Sequence, residues 1–165
     1  MKQVNKIARL CIMATATMAL SGCASDDNPV TPKVVEEIGI KNFSNTGCKP
    51  SQEILTRAEQ TEELSSIELS ATERDGIYVV HRDVILNCGI KDYNAVIEVD
   101  GNKITVTETG DASMQAWCNC AVDFGYEIGP LVEGNSYELI VLSEHNRSAN
   151  KIIKFVYSPT LKYVE

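Results

Sequence analysis

Between residues 66 and 157 the chain is a succession of short β-prone runs separated by turn residues, and this rhythm leaves few folds open. Ile67 and Leu69 alternate with Glu68 and Ser70, and residues 77–88 form a long β-rich run. Residues 95–99 and 104–109 flank Asp100-Gly101-Asn102, where Asp-Gly is among the strongest hairpin signals. Further runs follow at 114–128, 137–142 and 152–157, and residues 34–43 alternate loosely enough to add a first strand. Strands closed by turns, with no alternation of strand and helix, predict an all-β antiparallel sandwich of about seven to eight strands. One stretch, 51–64, has a weak apolar stripe behind Ser51 and reads equally as a loop or a short helix.

A second signal sits at Leu131, Gly134 and Tyr137. A Leu, then a Gly, then a Tyr entering a strand resembles the tyrosine corner of immunoglobulin-like and fibronectin type III domains. There the Tyr hydroxyl bonds back to the backbone a few residues upstream and fixes a connection between sheets.

The start of the chain has a different character. Basic Lys2, Lys6 and Arg9 precede an apolar run from Leu10 to Leu20, too short to span a bilayer and of the length of a secretory core. Leu20-Ser21-Gly22-Cys23 resembles a bacterial lipobox, which implies that 1–22 are a lipoprotein signal peptide, cleaved before an acylated Cys23. Residues 23–36 then read as the lipidated Cys and a flexible tether with Pro29 and Pro32, and 37–165 as a single domain. Ser25-Asp26-Asp27-Asn28 resembles the acidic stretch that sends lipoproteins of Bacteroidota to the outer cell surface. An outer-membrane lipoprotein facing the cell surface is therefore expected, with a periplasm-facing one as the alternative.

Charge narrows the partners. The whole chain carries a formal charge of −8, and losing the three cations of 1–22 takes it to −11. Such a surface repels phosphate backbones and anionic head groups, so no nucleic acid is expected and membrane association must come from the lipid anchor. Aromatic residues are 6% of the chain, too few for a broad sugar-stacking platform, although a single contact through Trp117 stays open.

With Cys11 in the signal peptide and Cys23 acylated, four cysteines remain: Cys48, Cys88, Cys118 and Cys120. An even number in an exported protein favours disulfides. Cys118 and Cys120 share one face of a strand, and a bond between them would close a small strained ring, so each is expected to pair with Cys48 or Cys88, in either of two ways. The alternative is a soft metal held by the thiolates of Cys118 and Cys120 with Met114 or a histidine; no other metal site is indicated.

No catalytic set emerges. His81 and Asp83 fall on one face of the predicted strand 77–88, but no serine lies in a nucleophile elbow, and polar side chains on an exposed strand face are the simpler expectation. Neither a phosphate loop nor a dinucleotide fingerprint is present, so no cofactor is expected.

From about residue 67 to 157 the chain resembles a group of small Bacteroidota lipoproteins of uncharacterised function. The resemblance is carried by His81 through Cys88, the hairpin at 100–107, Cys118-Asn119-Cys120 running into Asp123 and Tyr126-Glu127-Ile128, and the turn into Tyr137. It implies an immunoglobulin-like β-sandwich stabilised by cysteines and brings no activity with it. The expectation is a non-enzymatic, lipid-anchored envelope protein that binds or assembles, with a protein or glycan as ligand and no indication of oligomeric state. Soft-metal handling and inhibition of external proteases are the alternatives.

Overall fold

The computed structural model describes residues 36–49 and 65–165. Cys23, the tether up to residue 35 and the segment 51–64 lie outside the described residues. Among the described residues nine strands form two sheets that pack face to face. They are β1 (Gly39–Asn45), β2 (Ser66–Ala71), β3 (Ile77–Asn87), β4 (Lys91–Asp100), β5 (Lys103–Asp111), β6 (Asn119–Gly129), β7 (Ser136–Ser143), β8 (Lys151–Val156) and β9 (Lys162–Val164). One sheet has the order β1-β6-β3-β2-β9 and the other β4-β5-β7-β8. Among the described residues there is no α-helix, only a 3₁₀ turn at Arg147–Ala149.

The sandwich is all-β, as the turn rhythm predicts, with three differences. A ninth strand, Lys162–Val164, adds to the free edge of β2, where Ile67 and Glu165 exchange both backbone hydrogen bonds. Residues 114–118 are loop, so the sixth strand starts only at Asn119. The β5–β7 pair is parallel, whereas every other pairing is antiparallel. After the β4–β5 hairpin the chain crosses to the other sheet as β6 and returns as β7, and that excursion lets β7 run in the same direction as β5.

The core lies between the sheets and follows the two-residue period. Ile77 and Val79 of β3 meet Ile104 and Val106 of β5, Leu139 and Val141 of β7, and Phe124, Tyr126 and Ile128 of β6 in one buried cluster. Phe43 packs beside Phe124 and Tyr126, and Tyr93 meets Phe124 edge-on at 5.6 Å between ring centroids.

Three bulges break the period, and each carries an Asn or Asp at positive φ. Asn42 (φ 53°) lies in the β1 bulge, Asp83 (φ 54°) in β3 and Asp92 (φ 49°) in β4. In each, two residues oppose one on the partner strand, and Asn and Asp tolerate the left-handed conformation better than most side chains. In β3, Arg82 and Asp83 together oppose Asp123. His81 continues the inward alternation of Ile77 and Val79, and the extra residue then resets the alternation, so that Val84 and Leu86 take the inner positions beyond it.

The tyrosine of the 131–137 turn bonds backwards. The Tyr137 hydroxyl accepts from the Val132 N–H at 2.9 Å, Leu131 is buried, and Gly134 (φ 81°) donates its N–H to the Tyr157 carbonyl at 2.9 Å. The positive φ at Gly134 is open to glycine at no steric cost. Gly39 pairs with Gly129 beside this corner, so the chain enters the sandwich at the corner end. At about 3.4 Å per residue, the eleven-residue β6 sets the opposite end roughly 35 Å away.

Candidate functional site

The end remote from the tyrosine corner gathers the features that bear on function. Cys48, following β1, bonds to Cys120 of β6, and Cys88, following β3, bonds to Cys118, with Cα separations of 5.4 and 5.6 Å. Cys118 and Cys120 thus belong to different disulfides, and the structure selects one of the two pairings that the spacing allows. The register is the reason: Asn87 sits opposite Asn119 and Leu86 opposite Cys120, so Cys88 continues toward Cys118, and its N–H donates to the Cys118 carbonyl at 3.0 Å. The sulfurs of Cys48, Cys88 and Cys120 all lie within 4.8 Å of one another, so the two bonds form one cluster.

The loop between β5 and β6 is built onto this cluster. Asn87 Nδ2 donates to the Ala116 carbonyl at 2.7 Å, and its Oδ1 accepts from the Ala116 N–H at 2.8 Å and the Gly89 N–H at 3.0 Å. Gly89 lies so close beneath the loop that a Cβ there would strike the Met114 carbonyl and come within 2.9 Å of the Ala116 nitrogen. Held in this way, the loop presents Trp117 and Met114 to solvent, at 107% and 65% relative exposure. Trp117 is the most exposed of the large apolar side chains among the described residues.

Beside the loop is a pocket of about 250 Å³ lined by Ile85, Asn87, Ile90, Ala112, Gln115, Asn119, His145 and Asn146. None of these is Asp, Glu, Lys or Arg. Asn146 is committed, donating to the Ile85 carbonyl at 3.0 Å and accepting from the Ser148 N–H and hydroxyl. His145 Nε2 donates to the Gly110 carbonyl at 2.8 Å, which leaves Nδ1 as an acceptor in the neutral ring. A larger hollow of about 650 Å³ runs along the β7–β8 edge near Lys103, Tyr137 and Phe155; it is broad and shallow and gathers no convergent polar set.

Two polar clusters lie elsewhere. His81 of β3 is wholly buried, not on an exposed strand face, because it continues the inward alternation of Ile77 and Val79. Its Nδ1 is 2.8 Å from Glu108 Oε2 of the opposite sheet, and Tyr126 donates its hydroxyl to Glu108 Oε1 at 3.1 Å. Burial, followed by the neighbouring Glu108, holds the Tyr126 hydroxyl well above its ordinary pKa, so it remains a donor. Asp83 points away from His81 and joins a surface cluster, where Lys49 Nζ reaches Asp83 at 2.7 Å and Asp123 at 2.6 Å. Arg82 adds a two-pronged contact to Glu68 at 2.7 and 3.1 Å.

The signal for the buried Glu108 was faint: one carboxylate within the run Thr105-Val106-Thr107-Glu108-Thr109 whose alternation places it on the face of Ile104 and Val106. Compared with protein-family models, with curated proteins and with solved structures, the chain matches none.

Proposed function

We propose that this chain is a non-enzymatic binding or assembly module of the cell envelope, held to the outer membrane by lipid on Cys23 and displayed at the cell surface. The observation that carries the reading is Trp117, fully exposed on a loop that Asn87, Gly89 and the Cys88–Cys118 bond hold in place. Rigid presentation of an aromatic anchor lowers the entropy lost on binding, which is the economy of a recognition surface. The lipobox at Leu20–Cys23 supports the anchor, and the tether would join the domain at its corner end, opposite the Trp117 loop. The His81–Glu108 pair supports a role without chemistry, since no substrate can reach it in the folded state.

The test is made in the source cells. Radiolabelled palmitate should enter the wild-type chain and be absent from a C23S variant, and a membrane-impermeant biotin reagent should label the domain on intact cells. Binding of the released domain to isolated envelopes should fall on W117A substitution. Equal binding by W117A would overturn the recognition role, and labelling only after lysis would place the domain on the periplasmic side.

A second reading, soft-metal handling, rests on the sulfur cluster. The proximity of Cys48, Cys88 and Cys120 would let reduction create three or four converging thiolates, a set suited to Cu(I) or Zn(II). It demands free thiols in the native protein. Intact mass with and without alkylation decides: loss of four hydrogens and no alkylation ends this reading, whereas four alkylated thiols and a chelatable metal would replace the first.

A further inference from the structure

We infer that the Trp117 loop and the adjoining pocket form a binding site for a neutral glycan, one sugar ring deep. This rests on the recognition role proposed above and names its ligand class. Three observations converge. The indole of Trp117 is fully exposed, offering a flat, rigid apolar face whose quadrupole attracts polarised C–H groups. The sequence neighbours Gln115 and Asn119, on either side of it, both line the pocket, so the aromatic face and the polar wall belong to one short segment. The wall is made of amides and an imidazole; Asn87 and Asn146 are committed to partners within the chain, which leaves Gln115, Asn119 and His145 to meet a ligand.

Neutral groups that both donate and accept match sugar hydroxyls, which also do both. Charged ligands fit poorly. An anion would meet no Lys or Arg in the wall and a chain of net negative charge, and a cation would meet no carboxylate in the wall, Glu144 lying outside the lining at 3.8 Å from His145 Nε2. The volume of about 250 Å³ lies below that of sites for drug-sized ligands and suits a single ring. Ile85 and Ile90 contribute an apolar part of the lining, against which ring carbons can rest. A protein partner would also use an exposed Trp, but Met114 is the one other large apolar side chain that the loop exposes, and Asp111, Ser113 and Gln115 beside it are polar and exposed, so the apolar patch stops at two side chains. The preferred unit is a β-linked hexopyranoside such as glucose or galactose, whose axial C–H bonds gather on one face while its hydroxyls project from the rim.

Trp117 is the chain's single tryptophan, so its fluorescence reports the site directly. The full exported protein in detergent is titrated with methyl β-glucoside, methyl β-galactoside and their β-linked oligomers up to tens of millimolar, with glucuronate and sialyl-lactose as charged controls. A saturable change in emission with at least one neutral pyranoside, and none with the charged sugars, is expected. Calorimetry with the same sugar should show binding at least tenfold weaker in W117A, partly restored in W117F, and severalfold weaker in N119A, with unchanged thermal unfolding in each. Silence toward every neutral sugar overturns the inference. So does sugar binding that survives W117A. If no sugar binds but W117A still loses binding to envelopes treated with periodate to destroy glycans, the ligand is a protein: the glycan inference falls and the recognition role stands. If W117A changes neither, both fall.

Discussion

His81 Nδ1 lies 2.8 Å from Glu108 Oε2 with both side chains wholly buried, so one hydrogen bond joins β3 of the first sheet to β5 of the second through the centre of the core. Tyr126 completes the link by donating to the other carboxylate oxygen, while His81 Nε2 is buried without a partner among the described residues. A polar link of this kind stabilises the fold only while every member is present.

Removing one partner should therefore be costly. Glu108→Ala leaves the imidazole and the Tyr126 hydroxyl buried with no acceptor, and a loss of about 3–5 kcal/mol is expected in urea unfolding. Tyr126→Phe removes one donor of two and should cost about 1–1.5 kcal/mol. A Glu108→Ala loss no larger than that of Tyr126→Phe would show that water enters and replaces the carboxylate.

The two disulfides should differ modestly in worth. Cys48–Cys120 spans 72 residues and Cys88–Cys118 spans 30, nested within it. Chain-entropy arguments then give about 4.4 and 3.6 kcal/mol for the isolated bonds. Paired C48S/C120S and C88S/C118S variants should both unfold at lower denaturant. The quadruple variant should lose less than these isolated values added together but more than the two paired losses added together, because the inner bond, while present, shortens the outer loop.

The corner tyrosine should act through its hydroxyl. Tyr137→Phe keeps the ring, which packs on Phe155 at 5.8 Å, and strips the acceptor from the Val132 N–H. A loss of about 1–2 kcal/mol is expected, with faster amide exchange at Val132 as the local signature.

Stability should fall at both pH extremes through one surface cluster. Burial tends to raise the Asp123 pKa, but hydrogen bonds from Lys49 and the Asp83 N–H outweigh it and hold the carboxyl below its ordinary 3.8. Burial likewise tends to lower Lys49, but hydrogen bonding to Asp123 and Asp83 prevails and holds the ammonium above 10.5. The Asp123 contribution is then full above about pH 4–5 and lost as the pH falls through its depressed value. The Lys49 contribution is present below 10.5 and lost as the pH rises through its elevated value. Asp123→Asn should flatten the acid limb of a Tm–pH profile and cost about 1 kcal/mol at pH 7, while Lys49→Met should flatten both limbs. An unchanged acid limb in Asp123→Asn would assign acid sensitivity to other carboxylates.

Much of the sandwich is legible along the chain. Alternation in 77–81 and 104–108, the Asp100-Gly101 turn and the even cysteines of the exported part are local signals, because a strand's period and a turn's φ are set within a few residues. The candidate site was legible only as separate letters: Trp117 as the one tryptophan, the cysteines as a set with two possible pairings.

What the tertiary structure alone decided is non-local. The facing of β3 beyond His81 depended on a bulge at Asp83, where two residues of β3 oppose one of β6. Asp83 is an ordinary polar residue in the sequence, and only the neighbouring strand makes it a reset point that sends Val84 and Leu86 inward. The same holds for the parallel β5–β7 pair, for β9 on the edge of β2 and for the choice of Cys118 over Cys120 as partner of Cys88. Local pattern determined most of the strand segments, although not β9 or the start of β6, and which residues prefer burial. Which strands became neighbours, and in what register, was decided by packing two whole sheets, since hydrogen-bonded pairing joins residues far apart in the chain and carries no local signature.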